Sequence, residues 1–203
     1  MENFSPLLFC FIGPGASGKS SICSALIDSN LPVHLSISST SRLPRGTEVN
    51  GKEYFFKTRE DFQKDIDNQL FLEYAEFTGD FYGTGLVNYE IAKKLRKHLL
   101  LDLEINGVKS LKKSLGSSVV VTFVCPPKLS DLRKRFEMRA SDSPERIEER
   151  MELAKLEIEN GLHSTISDYV IINRNIDESV SQAKAIVVAE QVRRSRINFI
   201  PEE

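Results

Sequence analysis

The residues Gly13-Pro-Gly-Ala-Ser-Gly18-Lys19-Ser20 fit the spacing G-x-x-x-x-G-K-[ST]. That spacing suits one task. A loop with few side chains turns its backbone N–H groups toward an anion, and a helix that follows adds its own free N–H groups and the positive end of its dipole. Lys19 would reach the β- and γ-phosphates of a nucleoside triphosphate, and the Ser20 hydroxyl would serve a Mg²⁺ site. A second anion site is legible at Arg42 and Arg45. Pro44 between them holds Leu43 extended, so the two planar guanidinia can converge on one phosphate. Tyr54 and Tyr82 can each donate a phenolic hydrogen bond to it. Asp102 ends the apolar run LLLD, where an acid suits the metal side of a phosphate loop, directly or through water.

These groups need a frame, and the pattern supplies an alternation of strands and helices. Apolar runs at Leu7–Ile12, Val33–Ser38, Leu99–Glu104, Val119–Cys125 and Tyr169–Ile172 read as strands. Helices are expected at Ser20–Ser29, Tyr89–Lys97, Asn106–Ser114, Leu129–Met138, Glu145–Asn160 and Ile176 to about Arg194. Ser143-Pro144 reads as cap and first turn. Such alternation implies a parallel sheet with crossovers. Residues 36–90 break it and read as an insertion. Within it, 36–50 is loop, Tyr54–Phe56 a short strand, Thr58–Asn68 a helix capped by Thr58, and Leu70–Phe77 an extended segment turned at Thr78-Gly79-Asp80. The fold class is therefore α/β: a parallel-sheet phosphate-loop core with helices on both faces, a small inserted α+β unit at 36–90, and a helical lid at about 136–147. The core would comprise 1–35 and 91–203.

With 203 residues, 40% hydrophobic and 28% charged, the composition is that of an ordinary globular chain. The net charge of -2 gives no general electrostatic case for nucleic acid or membrane. Cys10, Cys23 and Cys125 have no metal spacing and read as reduced core thiols of a cytoplasmic protein. No signal peptide or membrane span is read from the sequence. His34, His98 and His163 read as surface or structural groups, Phe55, Phe56 and Phe81 as core of the insertion, and Arg193, Arg194 and Arg196 as a solvated patch.

In order after GPGASGKS come SISSTSRLPRGTEVNGKEYFF, FLEYAEFTGDFYGTG, LLDLEINGVKSLKK and DYVIIN. Together these resemble guanylate kinase from about Leu7 to Glu190. The resemblance implies transfer of the γ-phosphoryl of ATP to GMP, and to dGMP, with Mg²⁺, in purine nucleotide metabolism. It implies an ATP site at Gly13, Pro14, Gly15, Ala16, Ser17, Gly18, Lys19, Ser20, Ser21 and Asn173, with Ser20 and Asp102 on the metal. It assigns the GMP phosphate to Arg42, Arg45, Tyr54 and Tyr82, and the GMP site further to Ser38, Glu73, Thr84, Asp102 and Glu104. In the charge run RKRFEMRASDSPERIEER, Arg135, Arg139 and Arg150 match arginines that clamp the ATP phosphates and, with Lys19, form the catalytic set. Guanine offers N1–H and N2–H₂ donors that a carboxylate such as Glu73 can accept together. Adenine would leave that carboxylate unpaired, and such mismatches cost on the order of 10⁴-fold in good cases.

The chain departs from the family pattern in places. Glu104 stands where an Asp is usual, and Gly15-Ala16 stands where Ser-Gly is usual. If the usual Gly takes φ > 0, Ala16 is strained by about 1 kcal/mol or more, unless Gly15 absorbs the turn. No general base is expected, because the GMP phosphate is already largely anionic near neutral pH. The expected partners are ATP and GMP, without nucleic acid or membrane, on a monomer or homodimer. Two rivals are a non-catalytic module that binds a phosphorylated partner, and a kinase with another acceptor.

Overall fold

The computed structural model describes residues 4–138 and 143–197. Strand β1 (Leu8–Ile12) is buried along its whole length. It pairs in parallel with β7 (His98–Asp102) on one side and β8 (Val119–Cys125) on the other. β2 (Val33–Leu35) extends the sheet beyond β7, and β9 (Tyr169–Ile172) extends it beyond β8, giving the order β2-β7-β1-β8-β9. The central strands β1 and β8 are continuous apolar runs buried along their whole length, because both faces are covered, whereas the edge strands β2 and β9 are only partly buried.

Two apolar clusters lie on opposite faces of the sheet. One joins Leu8, Cys10 and Leu101 to Val108 and Leu111 of helix α4 (Ile105–Leu115). The other joins Phe9, Phe11 and Val124 to Ile22 and Leu26 of α1 (Lys19–Ile27) and to Ala183 and Val187 of α7 (Ile176–Gln191). The three cysteines are buried and unbridged. His98 is structural: its Nδ1 accepts from the Leu7 N–H, and burial lowers its pKa to about 4.

The insertion forms a second sheet in the order β4-β3-β6-β5. Its strands are β3 (Ser39–Thr40), β4 (Phe55–Phe56), β5 (Phe71–Phe77) and β6 (Asp80–Gly85). Helix α2 (Arg59–Asp67) covers it, with Phe62 stacked between Phe71 and Phe81. Thr58 caps α2 as expected, its hydroxyl accepting from the Asp61 N–H at 3.1 Å. Two strands here were not legible. Ser39–Thr40 lies within the stretch expected to be loop, and β6 begins at Asp80, in the expected turn, and runs on through residues for which no strand was expected. Helix α3 (Leu86–Lys94) starts three residues before the expected Tyr89, directly after Gly85.

Helices α5 (Leu129–Met138) and α6 (Pro144–His163) pack against each other. Ser143 caps α6, and Arg133 of α5 pairs with Glu148 of α6. Of the lid expected at about 136–147, residues 139–142 lie outside the described residues.

The arginines after α7 are not simply solvated. Arg193 and Arg196 both bond the buried carboxylate of Glu190, at 2.5 Å each. Tyr169 donates to the same Glu190 carboxylate.

Candidate active site

β1 sits where crossovers leave the sheet in both directions, so the loop after it opens into a crevice at the strand ends. The loop is tight. Gly13 has φ +136°, and a Cβ there would fall 2.3 Å from the Val124 carbonyl oxygen. Gly18 has φ +106°, and a Cβ there would fall 2.1 Å from Asn173 Nδ2. No other residue type fits either position.

Ala16 also takes a left-handed backbone, at φ +60°, while Gly15 does not. Gly15 therefore does not absorb the turn, and Ala16 carries the strain. The surroundings hold it there. Arg135 of α5 donates to the carbonyls of Ala16 and Ser17, each at 3.1 Å, and to that of Asn173 at 3.3 Å. Asn173 Nδ2 donates to the Ser17 carbonyl at 2.8 Å. Ala16 also packs with Leu132, Phe136, Ile147 and Met151, which ties the loop to α5 and α6.

Lys19 opens α1 and folds back over the loop. Its Nζ donates to the Gly13 carbonyl at 2.7 Å and to the Pro14 carbonyl at 3.2 Å, and lies 3.9 Å from Asp102 Oδ1. The Ser20 hydroxyl donates to Asp102 Oδ2 at 2.8 Å. Parallel pairing sets this contact, because Phe11 lies in register with Asp102. The result is a hydroxyl and a carboxylate side by side at the mouth of an anion-binding loop. Hard oxygen donors in that number fit Mg²⁺, which is held by one or two carboxylates and completes its shell with water and substrate phosphates.

Across the crevice stands the second cluster. Arg42 is only 8% exposed. It grips Glu48 through both Nη atoms, at 2.9 and 3.1 Å, and donates to the Leu43 carbonyl at 2.7 Å. Burial works against its charge, yet Glu48 holds its pKa above the ordinary guanidinium value. Glu48 also accepts from the Arg45 N–H at 2.8 Å. The Arg42 guanidinium lies 5.3 Å from the ring centre of Tyr54, which meets the Tyr82 ring edge-on. Burial, and then the charge of Asp102, push the Tyr54 phenol up. The two clusters are thus within electrostatic reach of each other. Glu48 was missed in the sequence, where an acid in a polar loop gives no signal.

Glu73 on β5 is buried beside Thr84 on β6, its register partner. Glu73 Oε1 accepts from the Thr84 N–H at 3.0 Å and from its hydroxyl at 2.6 Å. Burial raises the Glu73 pKa, and the Thr84 hydrogen bonds oppose that rise. Glu104, at the start of α4, is raised by burial.

A cleft of about 710 Å³ joins these groups. Gly15, Ala16, Gly18, Lys19, Ser20 and Ser21 line it on one side. Ser38, Arg42, Arg45, Tyr54, Glu73 and Tyr82 line the other, with Asp102 and Glu104. Gly13, Pro14, Ser17, Thr84, Arg135 and Asn173 are not among the lining residues; the first three lie within the loop, Thr84 stands behind Glu73, and Arg135 and Asn173 brace the loop. Arg139 lies outside the described residues. From α6, Arg146, Arg150, Leu153 and Glu157 face the same cleft. Their spacing of four, three and four is one helical face, a signal present in the sequence; of the four, the resemblance marked only Arg150. Arg150 lies 5.4 Å over the Phe136 ring. Glu157 is raised to about 7 by burial and then by Glu104.

A family model described as Guanylate kinase matches residues 6–190. A guanylate kinase of Shouchella clausii is 36% identical over 197 residues, covering 97% of this chain and 94% of that protein. One of Koribacter versatilis is 41% identical over 194 residues, covering 94% and 82%. The crystal structure of guanylate kinase from Anaplasma phagocytophilum superposes with a TM-score of 0.76 at 28% identity, covering 97% of this chain and 91% of that one.

Proposed function

The chain belongs to the guanylate kinase family, and from that premise we propose how its cleft transfers the γ-phosphoryl group of ATP to GMP. The observation that carries the assignment is that the phosphate loop and the Arg42–Tyr54–Tyr82 cluster face each other across one cavity, with a buried carboxylate at its acceptor end. ATP lies along the loop from Gly13 to Ser21, and Lys19 exchanges its loop carbonyls for β- and γ-phosphate oxygens. Ser20 and Asp102 would hold Mg²⁺, the latter directly or through water. When bound, the ion neutralises charge on the phosphate chain.

GMP lies opposite. Arg42, Arg45, Tyr54 and Tyr82 hold its phosphate, and Glu73 accepts from the guanine N1–H and N2–H₂. Ser38, Asp102 and Glu104 complete that subsite, and Thr84 supports Glu73 from behind. Arg42 is already turned toward an anion, since Glu48 occupies its fork. Arg139 and Arg150 approach the transferring group as the lid closes. Arg135 serves by bracing the loop carbonyls, and Asn173 does the same from just beyond β9. Transfer needs in-line positioning and charge neutralisation, not proton removal. Closure excludes water, which would otherwise take the phosphoryl group.

Residues 36–90 act as the GMP-binding unit and the rest as the core, with the lid at about 136–147. On this reading the reaction is cytoplasmic and runs on a monomer or homodimer, with dGMP as a second acceptor. Among the described residues no helix is long and apolar enough to cross a membrane.

The test is ADP release from ATP with GMP, dGMP, AMP, CMP and UMP offered in turn. Turnover is expected with GMP and dGMP alone. No turnover with GMP above the ATPase background overturns the reading. Arg45→Ala separates the two halves: it should raise KM for GMP while leaving KM for ATP in place.

A further inference from the structure

Gly107 lies in the first turn of α4, which packs against β5. A Cβ at this position would fall 2.4 Å from Glu73 Oε2, 3.1 Å from Cδ and 3.7 Å from Oε1. Its three nearest neighbours are therefore all atoms of one carboxyl group. The opposite side of that group is also fixed, because Oε1 takes both the N–H and the hydroxyl of the fully buried Thr84. The Glu73 carboxylate is held between a strand that donates to it and a helix that comes close only because residue 107 has no side chain.

Other buried glycines in the fold differ. At Gly161 an added Cβ would meet the Phe123 ring at 2.1 Å, so the collision is with the core. At Gly107 it would meet the far end of a flexible side chain. The fold can yield there by swinging Glu73, and doing so breaks the Thr84 bonds and turns the carboxylate away from the cleft.

We propose that Gly107 is a positioning residue for acceptor-base selectivity: the missing side chain sets the Glu73 carboxylate where it can accept from both guanine donors. This rests on the reading of Glu73 as the guanine-recognition group. A displaced carboxylate loses the two-point contact with guanine but keeps more of its contact with hypoxanthine, which has the N1–H and lacks the 2-amino group.

The experiment measures KM and kcat for GMP and IMP at saturating ATP, KM for ATP, and the thermal midpoint. It compares wild type, Gly107→Ala and Glu73→Gln. For Gly107→Ala, KM for GMP should rise at least about tenfold with kcat within about twofold, the pattern of lost ground-state binding. KM for ATP should hold, and the GMP-over-IMP preference should fall. A purely structural glycine predicts otherwise. Alanine is the better helix former, so KM for GMP would stay put in a folded variant, and that result overturns the proposal. So does a variant that fails to fold, or one whose KM for ATP rises equally. If Glu73→Gln raises KM for GMP and Gly107→Ala does not, the reading of Glu73 stands and this inference alone falls. If Glu73→Gln leaves KM for GMP unchanged, the reading of Glu73 has failed and takes the inference with it.

Discussion

Ala16 holds φ at +60° in the middle of the phosphate loop, a region that costs an L-residue roughly 1–2 kcal/mol. Ala16→Gly should relieve that cost, less the ~0.4–1 kcal/mol that glycine adds to unfolded-chain freedom. A net gain of about 0.5–1 kcal/mol is expected, read as a raised urea midpoint with an unchanged slope. Lys19→Ala is expected to lower turnover by at least about a hundredfold, since it removes a charge aimed at the transferring group. GMP binding, followed by calorimetry, should persist. A near-normal rate in that variant would remove Lys19 from the mechanism. At this scale the sequence was most legible where chemistry fixes both residue type and spacing, as at Gly18-Lys19-Ser20. It was mute about Glu48, which matters through a fork-to-fork contact that only folding creates. For Ala16 the sequence left two backbone solutions open, and the choice between them depends on Arg135 from a helix over a hundred residues away.

Among the elements, β8 and β9 have the expected boundaries, and α5 the expected start, because each carries a complete local signal. β8 is seven apolar or small residues stopped by Pro126-Pro127. β3 and β6 lack such a signal. Ser39–Thr40 is polar, and its strand character comes from pairing with Gly83 and Tyr82, some forty residues on. The caps were readable because they are local hydrogen bonds. Thr58→Ala should cost about 1 kcal/mol by losing the bond to the Asp61 N–H. Chemical denaturation would show that loss, while KM for ATP, set on the other sheet, should stay in place.

Across the whole molecule, acids converge on the cleft from both sides. Glu157 on α6 is raised to about 7 by burial and then by Glu104, with Lys19 opposing the rise. A buried carboxyl with a raised pKa binds its proton more tightly folded than unfolded. Its contribution to stability is therefore complete below the unfolded value, near 4.5, and is lost as pH rises through about 7. Ligand-free protein should lose denaturant resistance between pH 5 and pH 8, and Glu157→Gln should flatten that slope. Equal slopes in the two proteins would show that the titrating group lies elsewhere. The order β2-β7-β1-β8-β9 has a further consequence, for the chain while it is being made. β1 emerges first, but its neighbours are Leu99 and Val119 and the residues after them. At about 5–20 residues per second, its apolar edges wait roughly 5–20 s on the ribosome for a partner. During that wait the nascent chain carries every residue of the phosphate-loop signature and cannot grip a phosphate. A translational pause before Val119 has left the ribosome should therefore prolong its dependence on chaperones, whereas a pause once Cys125 has left it should leave a chain whose three central strands can already pair.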